Sequence, residues 1–157
     1  MDVNTILNVD DNEVNRYIRT RVLQDAGYRV VEAATGQEAI SRTVADKPYL
    51  VLLDINLPDM NGREVCRRIK ANPSIRSLVV HISATYTDTA DQARGLNGGA
   101  DGYLCEPVDP ELLIATAVSF RRLHETEAKL RDNEEQLKLA QTIAGLGFLN
   151  GTYRRIR

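Results

Sequence analysis

Acidic side chains follow several short apolar runs in this chain of 157 residues. Asp10 and Asp11 come after the first run, Asp54 after the third, and Ser83 ends the fourth. Glu106 follows a fifth run. If these runs are parallel strands, their carboxyl ends meet at one edge of a sheet, where open α/β sheets bind their ligands. The spacing therefore predicts a polar site in which the aspartates converge.

Carboxylates that converge repel one another, and a hard divalent cation removes that repulsion. Mg²⁺ prefers oxygen ligands, and an aspartate beside it can attack a phosphoryl donor to form an acyl phosphate. Ser83 would then donate its hydroxyl to a phosphoryl oxygen. Alternatively, Asp10 and Asp54 only cap helices or turns. Asp10 and Asp54, taken together with Asp11 and Ser83, favour a site for phosphoryl transfer over helix or turn caps.

Two hydrophobic periodicities alternate over the first ~120 residues, as in chains built of βα units. The strand-like runs are Thr5–Val9, Arg29–Ala33, Tyr49–Leu53, Leu78–Ser83 and Gly102–Cys105. The helical patterns between them contain Val14/Ile18/Val22, Ala39/Ile40/Thr43/Val44, Val65/Cys66/Ile69 and Ala90/Ala93/Leu96. The alternation predicts an α/β fold with a doubly wound five-stranded parallel sheet. If the strand order is the flavodoxin-like 2-1-3-4-5, the first and third strands flank the switch in strand order, and their aspartates converge there.

The chain from Glu111 to about Ile143 contains no Gly or Pro, which predicts a long C-terminal helix. Leu123, Leu130 and Leu137 repeat every seven residues and predict a seam for a homodimer. A solvated single helix, or one that packs on another domain, is the alternative, because the companion heptad position is polar. We divide the chain into a domain over 1–122, a helical linker over 123–144 and the truncated start of another domain over 145–157.

Composition and charge exclude several classes of protein. The formal net charge is −2, from 20 basic and 22 acidic residues, which gives no general reason to bind nucleic acid or an anionic membrane. No run of 18 apolar residues predicts a transmembrane helix, and no signal peptide is evident. Cys66 and Cys105 are isolated, which is typical of reduced thiols. We expect a cytoplasmic protein.

Four motifs, in order, resemble the receiver domain of two-component response regulators. They are the Asp10-Asp11 pair, the run Asp54-Ile-Asn-Leu-Pro-Asp-Met-Asn-Gly62, the pair Ser83-Ala84, and the run Gly99-Ala-Asp-Gly-Tyr-Leu-Cys-Glu-Pro107. The resemblance covers about residues 4–124. It implies a function in phosphorelay signal transduction, with a histidine kinase or a phosphotransfer protein as partner.

The resemblance also implies a role for each matched residue. Asp54 would be the phosphoacceptor. Mg²⁺ would be bound by Asp10, Asp11 and Asp54 together with the backbone carbonyl of Asn56. The chain would not be an enzyme by itself beyond this self-phosphorylation chemistry.

A second set of residues would respond to the phosphoryl group. Ser83 and Tyr103 would form the switch pair, in which the hydroxyl moves toward the phosphoryl group and the aromatic ring turns inward. The family places a Lys immediately before Pro107, where this chain has Glu106. A fourth negative charge there predicts slow phosphorylation and a weakened switch, which Glu106→Lys would reverse. An arginine from elsewhere in the chain that pairs with Glu106 would soften the effect.

Glu106 leaves a second interpretation open, a degenerate receiver that acts as a phosphorylation-independent binding or dimerisation module. A third is an aspartyl-phosphate phosphohydrolase, which is disfavoured because such enzymes need Asp-x-Asp where Asp10 and Asp11 are adjacent. The C-terminal part resembles the helical linker that leads into a PAS domain. That likeness implies the N-terminal piece of a longer receiver–PAS protein, with a sensor histidine kinase as one form of the parent chain.

Overall fold

The computed structural model describes residues 4–83 and 99–149. Five parallel strands form one sheet in the order β2-β1-β3-β4-β5, which confirms the predicted fold class. The strands are β1 (Thr5–Val9), β2 (Arg29–Ala33), β3 (Leu50–Asp54), β4 (Leu78–Ser83) and β5 (Gly102–Cys105). The helices are α1 (Glu13–Asp25), α2 (Gly36–Asp46), α3 (Gly62–Ala71) and α4 (Pro110–Leu149). The helix predicted around Ala90, Ala93 and Leu96 lies outside the described residues.

The sheet is buried on both faces, because parallel strands are covered by the helices that connect them. Side chains on successive strand residues point to opposite faces, so β3 contributes Leu50 and Leu52 to one apolar cluster and Val51 and Leu53 to the other. All four are fully buried. The core therefore fixes the strand register, and with it the position of each strand end along the edge of the sheet.

Polar side chains cap the first turns of the helices that follow β1 and β3. The Asn12 side chain accepts a hydrogen bond from the Asn15 N–H at the start of α1, at 3.0 Å. Asn61 accepts one from the Arg63 N–H at the start of α3, at 2.8 Å. Such caps satisfy N–H groups that have no partner within the helix. The loops that follow β1 and β3 are therefore held at both ends.

The apolar spacing that predicts α1 does not mark its buried face. Val14 and Ile18 are 66% and 52% exposed, whereas Arg19 and Thr20 are buried with Leu23. The helix turns this partly polar face to the sheet because β1 carries buried polar groups that need partners there. The exposed apolar residues are left on the surface.

The chain divides into two compact units, Met1–Arg122 and Leu123–Arg157. Helix α4 ends at Leu149, beyond the predicted Ile143. In the first unit Leu113 and Ala117 are buried, and the Ala117 carbonyl accepts a hydrogen bond from the Tyr49 hydroxyl at 2.7 Å. None of the helices within 4–83 and 99–149 is long and apolar enough to cross a membrane.

Gly62 allows a close approach between α3 and the end of β3. Its N–H donates to the Ile55 carbonyl at 2.7 Å. A Cβ atom at this position would overlap the carbonyl oxygen of Asp54 and lie 2.7 Å from the Ile55 Cα. Both neighbours are backbone atoms that belong to the strand end, so neither can turn aside.

We therefore expect Gly62→Ala to lower the free energy of unfolding by roughly 1–3 kcal/mol, measured by urea denaturation. Gly36→Ala is the matched control, because Gly36 is also the first residue of a helix. A Cβ at Gly36 would meet side-chain atoms of Met60 and Val65, at 2.5 Å and 2.8 Å. The proposed backbone clash is wrong if Gly62→Ala is no more destabilising than this control.

Candidate functional site

Three carboxylates meet at the carboxyl edge of the sheet. Asp10, Asp11 and Asp54 each offer one oxygen atom, and these atoms lie within 4.8 Å of one another. Asp10 and Asp11 follow β1, while Asp54 ends the neighbouring strand β3. The strand order therefore brings together side chains that are more than 40 positions apart in sequence.

Asp54 lies in an environment that disfavours its negative charge. Burial, together with the nearby Asp10 and Glu106 carboxylates, raises the pKa of Asp54 to about 7, against the lowering effect of a hydrogen bond from the Asn56 N–H. That bond is 3.1 Å long. Near neutral pH the protonated and ionised forms of the Asp54 carboxyl are therefore both populated when no metal is bound.

The aspartates differ in their access to solvent. Asp10 is only 1% exposed and accepts a hydrogen bond from the Asn12 N–H at 2.8 Å. Asp11 and Asn56 are exposed and line a cleft of about 380 Å³. Ligands from solvent can therefore reach Asp11 and the β3–α3 loop directly, whereas the Asp10 carboxylate lies buried beneath the surface of the site.

The oxygen cluster fits a small divalent cation. Two ligands of one Mg²⁺, each at ~2.1 Å, lie at most ~4.2 Å apart. The measured limit of 4.8 Å exceeds this by about half an ångström, a distance that small side-chain rotations can close. The donors are carboxylate oxygens, which are of the hard type that Mg²⁺ prefers.

Glu106 follows β5, and its carboxylate is paired with Arg19 of α1. The Arg19 Nη2 atom lies 2.7 Å from a Glu106 carboxylate oxygen and also donates to the buried Asp10 carboxylate. The arginine from elsewhere in the chain that would soften the effect of Glu106 is therefore Arg19, which Glu106 shares with Asp10.

Arg19 is the residue that sequence reasoning missed. It lies in the middle of a surface helix that also contains Arg16 and Arg21, and nothing in its spacing separates it from these two. Its side chain is nevertheless only 6% exposed. The available signal was indirect, namely a glutamate in place of a lysine, which calls for a cation from elsewhere.

A buried hydrogen-bond network holds Arg19 in place. Its Nη1 atom donates to the Asn8 Oδ1 atom at 3.3 Å, and Asn8 in turn donates to the Thr20 hydroxyl at 3.1 Å and the Arg16 carbonyl at 2.9 Å. Arg16 also donates to the backbone carbonyl of Asp10 at 2.7 Å. Strand β1 and helix α1 are thus joined by polar contacts under the site.

Ser83 and Tyr103 lie on the neighbouring strands β4 and β5. Ser83 is 2% exposed, and its carbonyl accepts a hydrogen bond from the Glu106 N–H at 3.2 Å. Tyr103 is half-buried and pairs in register with His81, with ring centroids 5.4 Å apart. Burial lowers the pKa of His81 to about 4, so this ring is neutral at physiological pH. The Glu106–Pro107 peptide bond is cis.

Comparison with known proteins places these features in one family. The chain matches the response regulator receiver domain over residues 6–118. It is 33% identical over 140 residues to the response regulator PleD of Caulobacter vibrioides, in a match that covers 89% of this chain and 31% of PleD. The chain thus spans about a third of that relative's length.

Solved structures show the same fold. The CheY-like receiver domain protein from Methanospirillum hungatei has a TM-score of 0.72 and 30% identity, covering 80% of this chain and 99% of that one. The signal receiver domain of a signal transduction histidine kinase from Syntrophus aciditrophicus has a TM-score of 0.69 and 26% identity, covering 76% and 90%. Together with the sheet order and the acidic cluster, these matches show that the chain belongs to the family of response regulator receiver domains of two-component systems.

Proposed function

We propose that the chain is a phosphoacceptor receiver that takes up a phosphoryl group on Asp54 with Mg²⁺ as cofactor. The observation that carries this proposal is the convergence of the Asp10, Asp11 and Asp54 oxygens within 4.8 Å around a half-buried acceptor. Receiver domains bind Mg²⁺ at such an acidic pocket. The donor set here suits that ion because it consists of hard oxygen ligands.

In the proposed reaction, an ionised Asp54 oxygen attacks the phosphorus atom of the donor. A P–O bond to Asp54 forms as the bond to the leaving group breaks, and the leaving group takes the electron pair. Asp10, Asp11 and the Asn56 carbonyl would hold the Mg²⁺, which neutralises charge on the phosphoryl oxygens. Mg²⁺ bound beside Asp54 would favour the ionised form of its carboxyl, which is the form that attacks.

Ser83 and Tyr103 would carry the signal away from the site. Support comes from their positions on β4 and β5, on the same face of the sheet as His81. The Glu106 N–H donates a hydrogen bond to the Ser83 carbonyl. A displacement of Ser83 at the end of β4 would therefore be transmitted to Glu106, the residue after β5, through a single hydrogen bond.

A histidine kinase or a phosphotransfer protein would dock on the surface that borders Glu106. Val14 and Ile18 are 66% and 52% exposed on α1, and Ile18 borders a pocket with Pro107 and Val108. Exposed apolar groups of this kind mark interaction sites. Their position next to the Arg19–Glu106 pair suits a protein donor that must approach Asp54.

The C-terminal part would be a helical linker over 123–144 that leads into a PAS-like domain from 145 onward, after a receiver that ends at 122. The parent would be a receiver–PAS protein such as a sensor histidine kinase, acting in the cytoplasm without a nucleic-acid or membrane partner. The charge balance of 20 basic and 22 acidic residues supports the absence of such partners.

The first experiment is intact-mass spectrometry after incubation with acetyl phosphate and Mg²⁺. We expect one phosphoryl adduct of roughly 80 Da on the wild type and none on Asp54→Asn, because only the carboxylate can form the acyl phosphate. Asp25→Asn, an exposed aspartate at the end of α1, serves as the control and should label like wild type. An unlabelled wild-type protein would favour the second candidate, a binding module that does not depend on phosphorylation.

Apo stability should depend on Asp54 and on pH. The folded-state pKa of about 7 lies above the ordinary 3.8, so the folded protein holds this proton more tightly. The resulting stabilisation is complete below pH ~4 and is lost as the pH rises through 7. We expect Asp54→Asn to raise the apo Tm at pH 8 more than at pH 5, and Asp25→Asn to show no such difference.

Mg²⁺ should raise the Tm of the wild type at pH 8 by binding the folded state, and should raise that of Asp54→Asn less. Calorimetry at both pH values measures all of these effects. An unchanged wild-type Tm at millimolar Mg²⁺ would contradict the metal site.

Homodimerisation would use the seam of α4 formed by Leu123, Leu130 and Leu137. These side chains are 42%, 58% and 60% exposed. We expect wild-type protein to be dimeric by light scattering, and Leu130→Glu with Leu137→Glu to be monomeric, because charges in a heptad seam prevent its burial. Leu139→Glu is the control, since Leu139 is 61% exposed but outside the repeat. Equal masses for all three proteins would contradict the seam.

A further inference from the structure

We propose that Arg19 is the cation that stabilises the added negative charge when Asp54 is phosphorylated, and that Glu106 is its positioning residue. The inference rests on the proposed phosphoacceptor function. It goes further by assigning a role to a residue of α1 and by changing the role expected for Glu106.

The first step of the argument is the charge balance at the site. Within the described parts of the chain, the carboxylates of Asp10, Asp11, Asp54 and Glu106 act on one small region. Arg19 contacts two of them, Asp10 and Glu106. A phosphoryl group on Asp54 carries up to two negative charges and replaces the single charge of the carboxylate, so the site gains up to one further negative charge. A cation of the chain beside the Mg²⁺ would stabilise that added charge, and a guanidinium keeps its charge at any pH the protein meets.

The second step is burial. The side chains of Arg19 and Asp10 are 6% and 2% exposed. Charges that are shielded from water interact more strongly than exposed ones, because the surrounding dielectric is lower. Arg19 therefore acts on the site in a way that a surface arginine such as Arg21 does not.

The third step is orientation. The Arg19 Nη1 atom donates to Asn8, and the Nη2 atom donates to both Asp10 and Glu106. Contacts from β1, from the loop after β1 and from the loop after β5 thus fix the guanidinium plane. Of these three partners only Glu106 follows β5, so its contact orients the Nη2 atom toward the carboxylates of the site.

The fourth step concerns which contact can be given up. The Glu106 side chain is 21% exposed, whereas that of Asp10 is almost fully buried. When charge accumulates on Asp54, Glu106 can turn to water at low cost, and the freed N–H of Arg19 can serve the phosphoryl group. Asn8 and Asp10 hold Arg19 in place meanwhile.

This arrangement reverses the expectation for Glu106→Lys. The ammonium introduced by Glu106→Lys would lie beside the Arg19 guanidinium and repel it, because Arg19 already supplies a cation at this place. The single substitution should therefore slow phosphorylation. The double variant Arg19→Met with Glu106→Lys should recover the rate of phosphorylation. It again has a single cation at this place, and that cation is no longer paired with Glu106.

The experiment measures the rate of Asp54 labelling by acetyl phosphate and Mg²⁺, followed by intact-mass spectrometry. We expect Arg19→Gln to label at least about tenfold more slowly, since removal of one charge-stabilising donor commonly costs 10²–10³ in rate. Glu106→Lys should also be slower than wild type, and the double variant should be faster than either single variant. Arg21→Gln is the matched control, because Arg21 lies exposed on the same helix and donates to the Tyr17 hydroxyl.

Loss of Arg19 leaves Asp10 buried without its cation, so the folded fraction of each variant is measured by thermal denaturation. Arg19→Lys keeps the charge without the planar fork, and we expect it to fold and to label at a rate between wild type and Arg19→Gln. The Mg²⁺-induced Tm shift separates metal binding from charge stabilisation, and it should persist in Arg19→Lys.

The outcomes separate the two proposals. If wild type labels and folded Arg19→Gln or Arg19→Lys labels equally fast, the role of Arg19 is wrong and the phosphoacceptor function stands. If the single variant Glu106→Lys labels faster than wild type, Glu106 slows phosphorylation and is not a positioning residue. If wild type does not label at Asp54, the phosphoacceptor function fails and the inference fails with it.

Discussion

The buried carboxylate of Asp10 is the constraint on which the rest of the site depends. An ionised group that is 1% exposed is unstable in a folded protein unless it is paired and hydrogen-bonded. Helix α1 meets this requirement by turning Arg19 inward, and Asn8 and Thr20 then satisfy the remaining polar groups. The partly polar inner face of α1 and the exposure of Val14 and Ile18 follow from this one pairing.

The sheet and the convergence of the aspartates could be predicted because they depend on local patterns. Four of the five strands have the predicted bounds, and the third is displaced by one residue to Leu50–Asp54. Once the strand order was inferred, the positions of Asp10 and Asp54 followed from geometry. The family motifs added the switch roles proposed for Ser83 and Tyr103, which the chemistry of the residues alone only partly indicated.

The inner face of α1 could not be predicted in the same way. Hydrophobic periodicity identifies the most apolar stripe of a helix, and here that stripe contains Val14 and Ile18, which are on the surface. The buried stripe is polar because its partners are the buried Asn8 and Asp10, and such pairing depends on residues distant in sequence. The same reason hid Arg19, whose contact with Glu106 joins positions 87 residues apart.

The Arg19–Glu106 pair also limits how the protein can evolve. A chain with a lysine before Pro107 differs from this one at that position, and a change there alone would leave either two neighbouring cations or an unpaired acid. The route between the two arrangements therefore passes through an intermediate of lower fitness, unless both positions change together or a third residue compensates. We expect positions 19 and 106 to be inherited as a unit, so that a charge reversal after β5 is recorded in a helix that is distant in sequence but in contact in space.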